Sequence, residues 1–429
     1  MSVPGRLAPS DVEIFLRAGE QYRTGLVALS AAESLTDDLA RYLLELVNTH
    51  AAELFVDALH ICDFVVERNS EWNLAPRARQ YLLIQLTDEP AISQTVHTRL
   101  LEIAQSAGLQ HEFSELPAYL TEGPGQAYHL AAINAHEGLL RYSQLAMAGV
   151  PRVRWLASQL AREQQTLGVL PQSALEVTFL QGMVYYREGR VSEAEPLLRS
   201  VANSGHDRIE VAVSSHIVGR INARRYRSRT AERLLKRSVR INRSLSNNSG
   251  EAQVLHTLGQ LVGRNRKRAE EAEGLLRRSL KIERRQNHEF GEAQVLHTLG
   301  QLVGRDRRRA EEAEGLLRRS LEIGESQNNE MHQAQVLHTL GQLVGRNRKR
   351  AEEAEGLLRR SLEIGERRNN RLHEAQVLYT LGKLRSSSHR KSDREDAVTL
   401  LRRSLSLNRE IGDHAGARLV ERELRDIPK

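Results

Sequence analysis

AQVLHTLGQLVGRNRKRAEEAEGLLRRSL, residues Ala252–Leu280, recurs letter for letter at Ala334–Leu362. A near copy occupies Ala293–Leu321, and a more diverged one follows at Ala375–Leu405. The alanines that open the copies, at 252, 293, 334 and 375, keep a constant step of 41 residues. A fixed period of this size predicts a solenoid of stacked units. Each unit then contacts only its neighbours, and the chain builds an extended surface rather than one enclosed core.

Within Glu251–Gln286, Leu255, Leu258, Gly259 and Val262 follow the i, i+3, i+4, i+7 spacing of one helical face. Gly263 and the polar run Arg264–Arg268 end that helix. A second helix opens at Ala269 with acidic residues, which the helix macrodipole favours there. Its apolar face is Ala272, Leu275, Leu276, Leu280 and Ile282, and Gln286–His288 breaks the pattern. A glycine inside a helix costs about 1 kcal/mol relative to alanine. The recurrence of Gly259 as Gly300, Gly341 and Gly382 therefore predicts a close approach by a neighbouring helix.

These residues resemble the tetratricopeptide repeat, whose paired helices carry a small residue in the first and an alanine in the second. Leu258-Gly259 with Ala272 and Leu276 match that pattern, as do Gly300/Ala313 and Gly341/Ala354. Gly182, Tyr185, Gly189, Ala194 and Leu198 match upstream, followed by Gly219, Ala231 and Leu235. The longer units look like those of kinesin light chains and many bacterial regulators. The resemblance implies an all-α fold, a right-handed superhelix of helical hairpins behind an α-rich N-terminal region. It places units near 175–206, 210–246, 251–287, 292–328, 333–369 and 374–409, with a capping helix at 413–427, in an array spanning 171–429.

Residues 1–122 form an acidic helical region, and 126–170 a helical pair that reads as a degenerate repeat. Phe64–Leu74 reads as a β-hairpin, with Pro76 opening the next helix. FVVERNSEWNLAPRARQYLLIQL resembles the winged-helix module of bacterial signal-transduction NTPases, a remnant placed around 55–107; a helical adaptor with one β-turn is the competing reading. Gly123-Pro124-Gly125 reads as a linker.

Charge is uneven. Residues 1–170 carry 12 Arg, no Lys and 20 acidic residues, a net of −8, and the remainder carries +15. Such asymmetry points to an acidic partner, to nucleic acid, or to contact between the two parts of the chain. The lone Cys62 excludes an intramolecular disulfide framework, and its apolar helix context predicts a buried, inert thiol. No apolar run approaches a membrane span and no signal-peptide core opens the chain, so a soluble, cytoplasmic protein is expected.

The motifs of catalysis are missing: no P-loop, no dinucleotide fingerprint, no zincin histidine pair, no nucleophile elbow. A non-enzyme without cofactor or metal is expected. His256, His297 and His338 recur once per unit, but units stacked about 8–10 Å apart cannot share a zinc ion with its ligands near 2 Å.

Gln253, His256, Gln260 and Arg264 lie off the packing stripe of the first helix. The set recurs as Gln294, His297, Gln301 and Arg305, as Gln335, His338, Gln342 and Arg346, and in part as Tyr379 and Lys383. By the resemblance these side chains face the concave groove and hold a protein or peptide partner with acidic groups. The alternative is that duplicated units simply share solvated residues. The basic turns Arg264–Arg268, Arg305–Arg309 and Arg346–Arg350 offer a rival phosphate surface. No aromatic residue lies near them to stack bases, and acidic residues follow at once, so nucleic acid is the weaker reading. A regulatory subunit for a separate signalling or defence NTPase is a further alternative.

Overall fold

The computed structural model describes residues 10–17, 19–68, 70–147, 150–386 and 391–427. They form two compact units, Met1–His206 and Asp207–Lys429. The division lies 36 residues beyond the expected start of the array, so the first repeat-like pair belongs to the first unit.

The first unit opens with helices α1 (Ser10–Arg17), α2 (Glu20–Leu29), α3 (Asp37–Leu46) and α4 (Ala52–Leu59). A hairpin of β1 (Val65–Arg68) and β2 (Glu71–Leu74) pairs antiparallel with Val65 opposite Leu74. The indole of the buried Trp72 donates to Asp37 Oδ1 at 2.8 Å, tying the hairpin to α3. Helices α5 (Pro76–Thr87), α6 (Pro90–Gln105), α7 (Ala107–Gln110), α8 (Ala118–Thr121), α9 (Gly123–Ile133), α10 (Ala135–Met147) and α11 (Pro151–Thr166) follow. The pair α12 (Leu175–Arg187) and α13 (Val191–Ala202) closes the unit.

Two expectations need correction here. Gly123-Pro124-Gly125 is not a linker but the first turn of α9, where proline suits a position with no helical N–H to lose. A Cβ on Gly125 would lie 2.1 Å from the Tyr119 carbonyl oxygen, so the glycine serves close packing. Cys62 is partly exposed, with its thiol donating to the Ala58 carbonyl, and the neighbouring Ile61 is 87% exposed.

The second unit is a run of helix pairs: α14 (Ile209–Arg224) with α15 (Ser228–Ser244), α16 (Asn248–Val262) with α17 (Ala269–Arg285), α18 (Glu289–Val303) with α19 (Ala310–Ser326), α20 (Glu330–Val344) with α21 (Ala351–Arg367), and α22 (Arg371–Ser386) with α23 (Lys391–Glu410). Helix α24 (His414–Asp426) caps it. The glycine expectation holds. A Cβ on Gly259 would stand 2.8 Å from Leu276 Cγ of the paired helix, and Gly300, Gly341 and Gly382 meet Leu317, Leu358 and Leu401 in the same way.

A buried serine locks each pair. Ser279 Oγ donates to the Ala252 carbonyl at 2.8 Å, and Ser238, Ser320, Ser361 and Ser404 repeat the bond at 2.7 Å. Units are joined through Asn287, Asn328 and Asn369 in the left-handed region, which asparagine tolerates at helix ends. The arginine-rich turns are not plain loops: Asn265, Asp306 and Asn347 accept from the backbone two residues on and start 3-10 turns over Arg266–Arg268, Arg307–Arg309 and Arg348–Arg350. First helices approach the next first helices backbone to backbone (α14–α16, α16–α18, α18–α20), whereas second helices meet the next mainly through long side chains, such as Arg277 with Glu312 and Arg318 with Glu353 at 2.8 Å. The second unit therefore bends with its first helices on the inner wall. No helix among the described residues is long and apolar enough to cross a membrane.

Candidate binding groove

The inner wall holds an open groove of about 600 Å³ on α14, α16, α18 and α20. Of the expected residues, Gln253, His256, Gln260, Arg264, Gln294, His297 and Gln335 line it, joined by His216, Arg220 and Arg224 of α14. Arg305, Gln301, His338, Gln342 and Arg346 repeat the arrangement further along the wall, outside this cavity.

The recurrent residues do different work. His256 Nε2 sits 2.7 Å from Thr298 Oγ1 on the next first helix, and His297–Thr339 and His338–Thr380 repeat this at 2.8 Å. Each threonine hydroxyl donates to a carbonyl four residues back, as Thr298 does to Gln294. Its oxygen is thus free to accept from an Nε2–H imidazole. Burial holds the imidazoles of His256, His297 and His338 down at about 4, so they are neutral at ordinary pH.

The arginines are helix caps. Arg264 Nη1 donates to the Ala223 carbonyl at 2.8 Å, while Arg305 and Arg346 donate to the carbonyls of Gly263 and Gly304. Each guanidinium thus meets the negative end of the preceding first helix. Gln260, Gln301 and Gln342 lie over the histidine–threonine pairs. Gln253, Gln294 and Gln335 are exposed, and their amides bond to no described residue. At Tyr379 and Lys383 the Tyr379 hydroxyl donates to Glu423 of α24 at 3.4 Å, and Lys383 Nζ lies 4.0 Å from the same carboxylate.

His216, whose Nε2 is 2.9 Å from Thr257 Oγ1, begins the same ladder and was missed because its offset to His256 is 40, not 41. A signal was present: a histidine three residues before the helix glycine occurs at 216/219, 256/259, 297/300 and 338/341. Arg220 and Arg224 then take the places of Gln260 and Arg264. Neither these two nor Arg264 pairs with a carboxylate among the described residues. Glu283, buried in the groove, is engaged by His288 Nδ1 at 2.7 Å. The α14 end of the groove therefore carries excess positive charge. Phe290 and Leu261 supply apolar surface beside it.

The outer turns differ. Arg268 spans Glu232 and Glu271 with four bonds of 2.8 Å; Arg309 spans Glu273 and Glu312 with four of 2.7–3.0 Å, and Arg350 spans Glu314 and Glu353 with four of 2.7–2.9 Å. The last arginine of each basic run is thus neutralised within the array.

No family model matches the chain, and no curated protein matches it. Solved structures do. A STAND (Signal Transduction ATPase with Numerous Domains) protein with a tetratricopeptide repeat sensor from Pyrococcus horikoshii aligns over 99% of this chain at 11% identity, with a TM-score of 0.52. This chain spans 65% of that one's length. The apo form of RapI aligns over 81% of this chain and 95% of its own at 15% identity and a TM-score of 0.49, and aspartyl phosphate phosphatase F from Bacillus subtilis over 81% and 91% at 13% and 0.46. The fold is an all-α helical-repeat solenoid of the tetratricopeptide kind, with a weak likeness to the arm of a STAND protein.

Proposed function

We propose that the chain is a non-enzymatic, cytoplasmic scaffold or sensor that holds an extended protein or peptide segment along the inner wall of its second unit. The observation that carries this reading is the division of labour on that wall. Histidines and most arginines of the repeated set are spent on joining units, while Gln253, Gln294 and Gln335 keep free amides facing the open groove at one per unit. An extended chain advances about 3.3 Å per residue, and successive packed helices stand about 8–10 Å apart. One amide therefore meets a peptide backbone about every third residue. Arg220, Arg224 and Arg264 at one end favour a carboxylate there, either an acidic side chain or a chain terminus.

The test is panning of a random peptide library against the intact protein. The expected result is enrichment of peptides with an acidic residue near one end, lost on a Gln253→Ala, Gln294→Ala, Gln335→Ala triple variant and weakened by Arg220→Gln with Arg224→Gln. Failure to enrich any sequence, or identical enrichment on the triple variant, ends the proposal. Alanine at the histidines is a poor test, because it loosens the array itself.

A second reading draws on the alignment with the STAND protein, which takes in the N-terminal unit as well as the array. The chain carries no P-loop of its own. A regulatory partner for a separate NTPase fits that pairing, and copurification with an ATPase would favour it. Nucleic-acid binding draws no support from Arg268, Arg309 and Arg350, whose charges are already matched.

A further inference from the structure

The first unit contains a polar cleft independent of the groove. Two cavities, of about 370 and 330 Å³, share Glu33 and Asn73 as common wall. Glu33 follows α2 and Asn73 lies on β2. Glu33 Oε2 and Asn73 Oδ1 are both shut off from solvent and accept no hydrogen bond from any described group.

The carboxylates and the buried guanidinium around them are already engaged. Arg79 is buried and spent: its Nε donates to the Ala32 carbonyl at 3.0 Å and its Nη1 to Glu163 Oε2 at 2.6 Å. The Tyr128 hydroxyl donates to the other Glu163 oxygen at 2.9 Å. Glu71, on the far side, accepts from Ser34 Oγ at 2.7 Å and from the Ala118 amide at 3.1 Å. The one guanidinium thus lies near two carboxylates but bonds only Glu163, and Glu33 is left without a bond. Burial pushes the Glu33 carboxyl above its ordinary range, with Arg79 opposing the shift. A buried acceptor without a donor costs about 1–3 kcal/mol, and the residues shared by the two cavities carry two such atoms. What satisfies them best is a positively charged group with several N–H donors.

The rest of the cleft limits what that group is attached to. The smaller cavity is walled by Tyr119, Leu156 and Trp155, whose side of the ring stands half exposed at the mouth. Arg152, exposed and without a carboxylate partner among the described residues, lines the same cavity. We propose that this cleft binds an α-amino acid or the amino terminus of a short peptide, its ammonium group set against the Glu33 carboxylate and the Asn73 side chain that line both cavities, its apolar side chain against Trp155 and Leu156, and its carboxylate or next carbonyl at Arg152. The residues and the unit differ from those of the groove, so either proposal can fail without the other.

Trp155 is the reporter, since the only other tryptophan, Trp72 on β2, is buried. Emission of the full-length protein is followed while leucine, leucinamide, N-acetyl-leucine and a leucyl dipeptide are added. Leucine and leucinamide should change the emission saturably, and N-acetyl-leucine, which lacks the ammonium, should bind at least about tenfold more weakly. Tighter binding of the dipeptide identifies a peptide end as the ligand; tighter binding of leucine identifies the free amino acid. Glu33→Gln keeps the shape of the side chain and should weaken binding about tenfold or more. Glu33→Asp, which keeps the charge and retracts it, should give an intermediate loss and serves if the amide variant does not fold. Calorimetry with leucinamide checks the fluorescence. No saturable response to any amine up to roughly 10 mM, or unchanged affinity in both Glu33 variants, overturns the proposal.

Discussion

His256 Nε2 lies 2.7 Å from Thr298 Oγ1, and the two residues belong to successive hairpins of the array. In a solenoid, stability is the sum of unit terms and nearest-neighbour interface terms, and this bond sits in the interface term. Thr298→Val keeps the shape of the side chain but strips the histidine of its acceptor, and His256→Ala removes the donor. Each change should cost about 1–2 kcal/mol. The double variant should recover part of that sum, with a coupling of about 1 kcal/mol in urea melts. Additive losses would mean that the bond contributes nothing.

Acid should weaken the array in two stages. Burial holds His216 at about 3 and His256, His297 and His338 at about 4 in the folded protein, against about 6.5 unfolded. Above pH 6.5 neither state binds these protons and stability is level. Below it the unfolded chain takes up protons that the folded chain refuses, so stability falls with pH, by up to about 1.4 kcal/mol per pH unit for each proton. The fall ends as pH drops through the folded values. Glu232, Glu273 and Glu314, held near 2 mainly by Arg268, Arg309 and Arg350, lose their contribution only below the ordinary carboxylate range, as pH falls toward 2. Melting temperatures from pH 7.5 to 4.5 should therefore decline, and His256→Gln with His297→Gln should flatten the slope. A melting temperature that rises on acidification would contradict the burial of these rings.

Much of this was legible in the sequence. The period marks the helix pairs, and the mid-helix glycines announce the close approach of the paired helix. The inter-unit bonds were not legible, for a physical reason. Periodicity says which residues share a face of one helix, but a bond such as Arg268 to Glu232 joins the turn of one unit to the second helix of the unit before, 36 residues away, and only the packing of successive units brings them together. The same 36-residue separation links Arg309 to Glu273 and Arg350 to Glu314, so a regularity was present without a rule to give it meaning. In the first unit, which has no period, local signals misled. Gly123-Pro124-Gly125 has the composition of a linker, yet the Tyr119 backbone demands a glycine there.

The arginine–glutamate ladder should matter modestly and depend on salt. Glu273 receives both Arg309 and Arg277, and its side chain is 17% exposed. Arg268→Gln, Arg309→Gln or Arg350→Gln should each lower the urea midpoint slightly at low ionic strength, and the deficit should shrink in high salt, because the guanidiniums stand about a third exposed. Chemical denaturation with urea, which is uncharged, at two salt concentrations measures this. A loss that salt leaves unchanged would assign the arginines a packing role instead.

Two glycines of one hairpin should respond in opposite directions to the same substitution. Gly300 lies mid-helix in α18, where a Cβ would stand 2.7 Å from Leu317 Cγ and 2.9 Å from its Cδ2. Alanine gains about 1 kcal/mol of helix propensity there, but forcing the buried leucine aside costs about 1–3 kcal/mol. Since Leu317 is fully buried, the clash should win, and Gly300→Ala should destabilise. Gly315 lies mid-helix in α19 with nothing within 4 Å of a built Cβ. Only the propensity term remains, so Gly315→Ala should stabilise by up to about 1 kcal/mol. The same contrast should hold for Gly341 against Gly356 one unit further on, where the near contact is again 2.7 Å and the open position again has no neighbour. Urea midpoints of the four single variants give the signs directly. Stabilisation by alanine at Gly300 or Gly341 would show that the paired helices stand farther apart than the leucine contacts require.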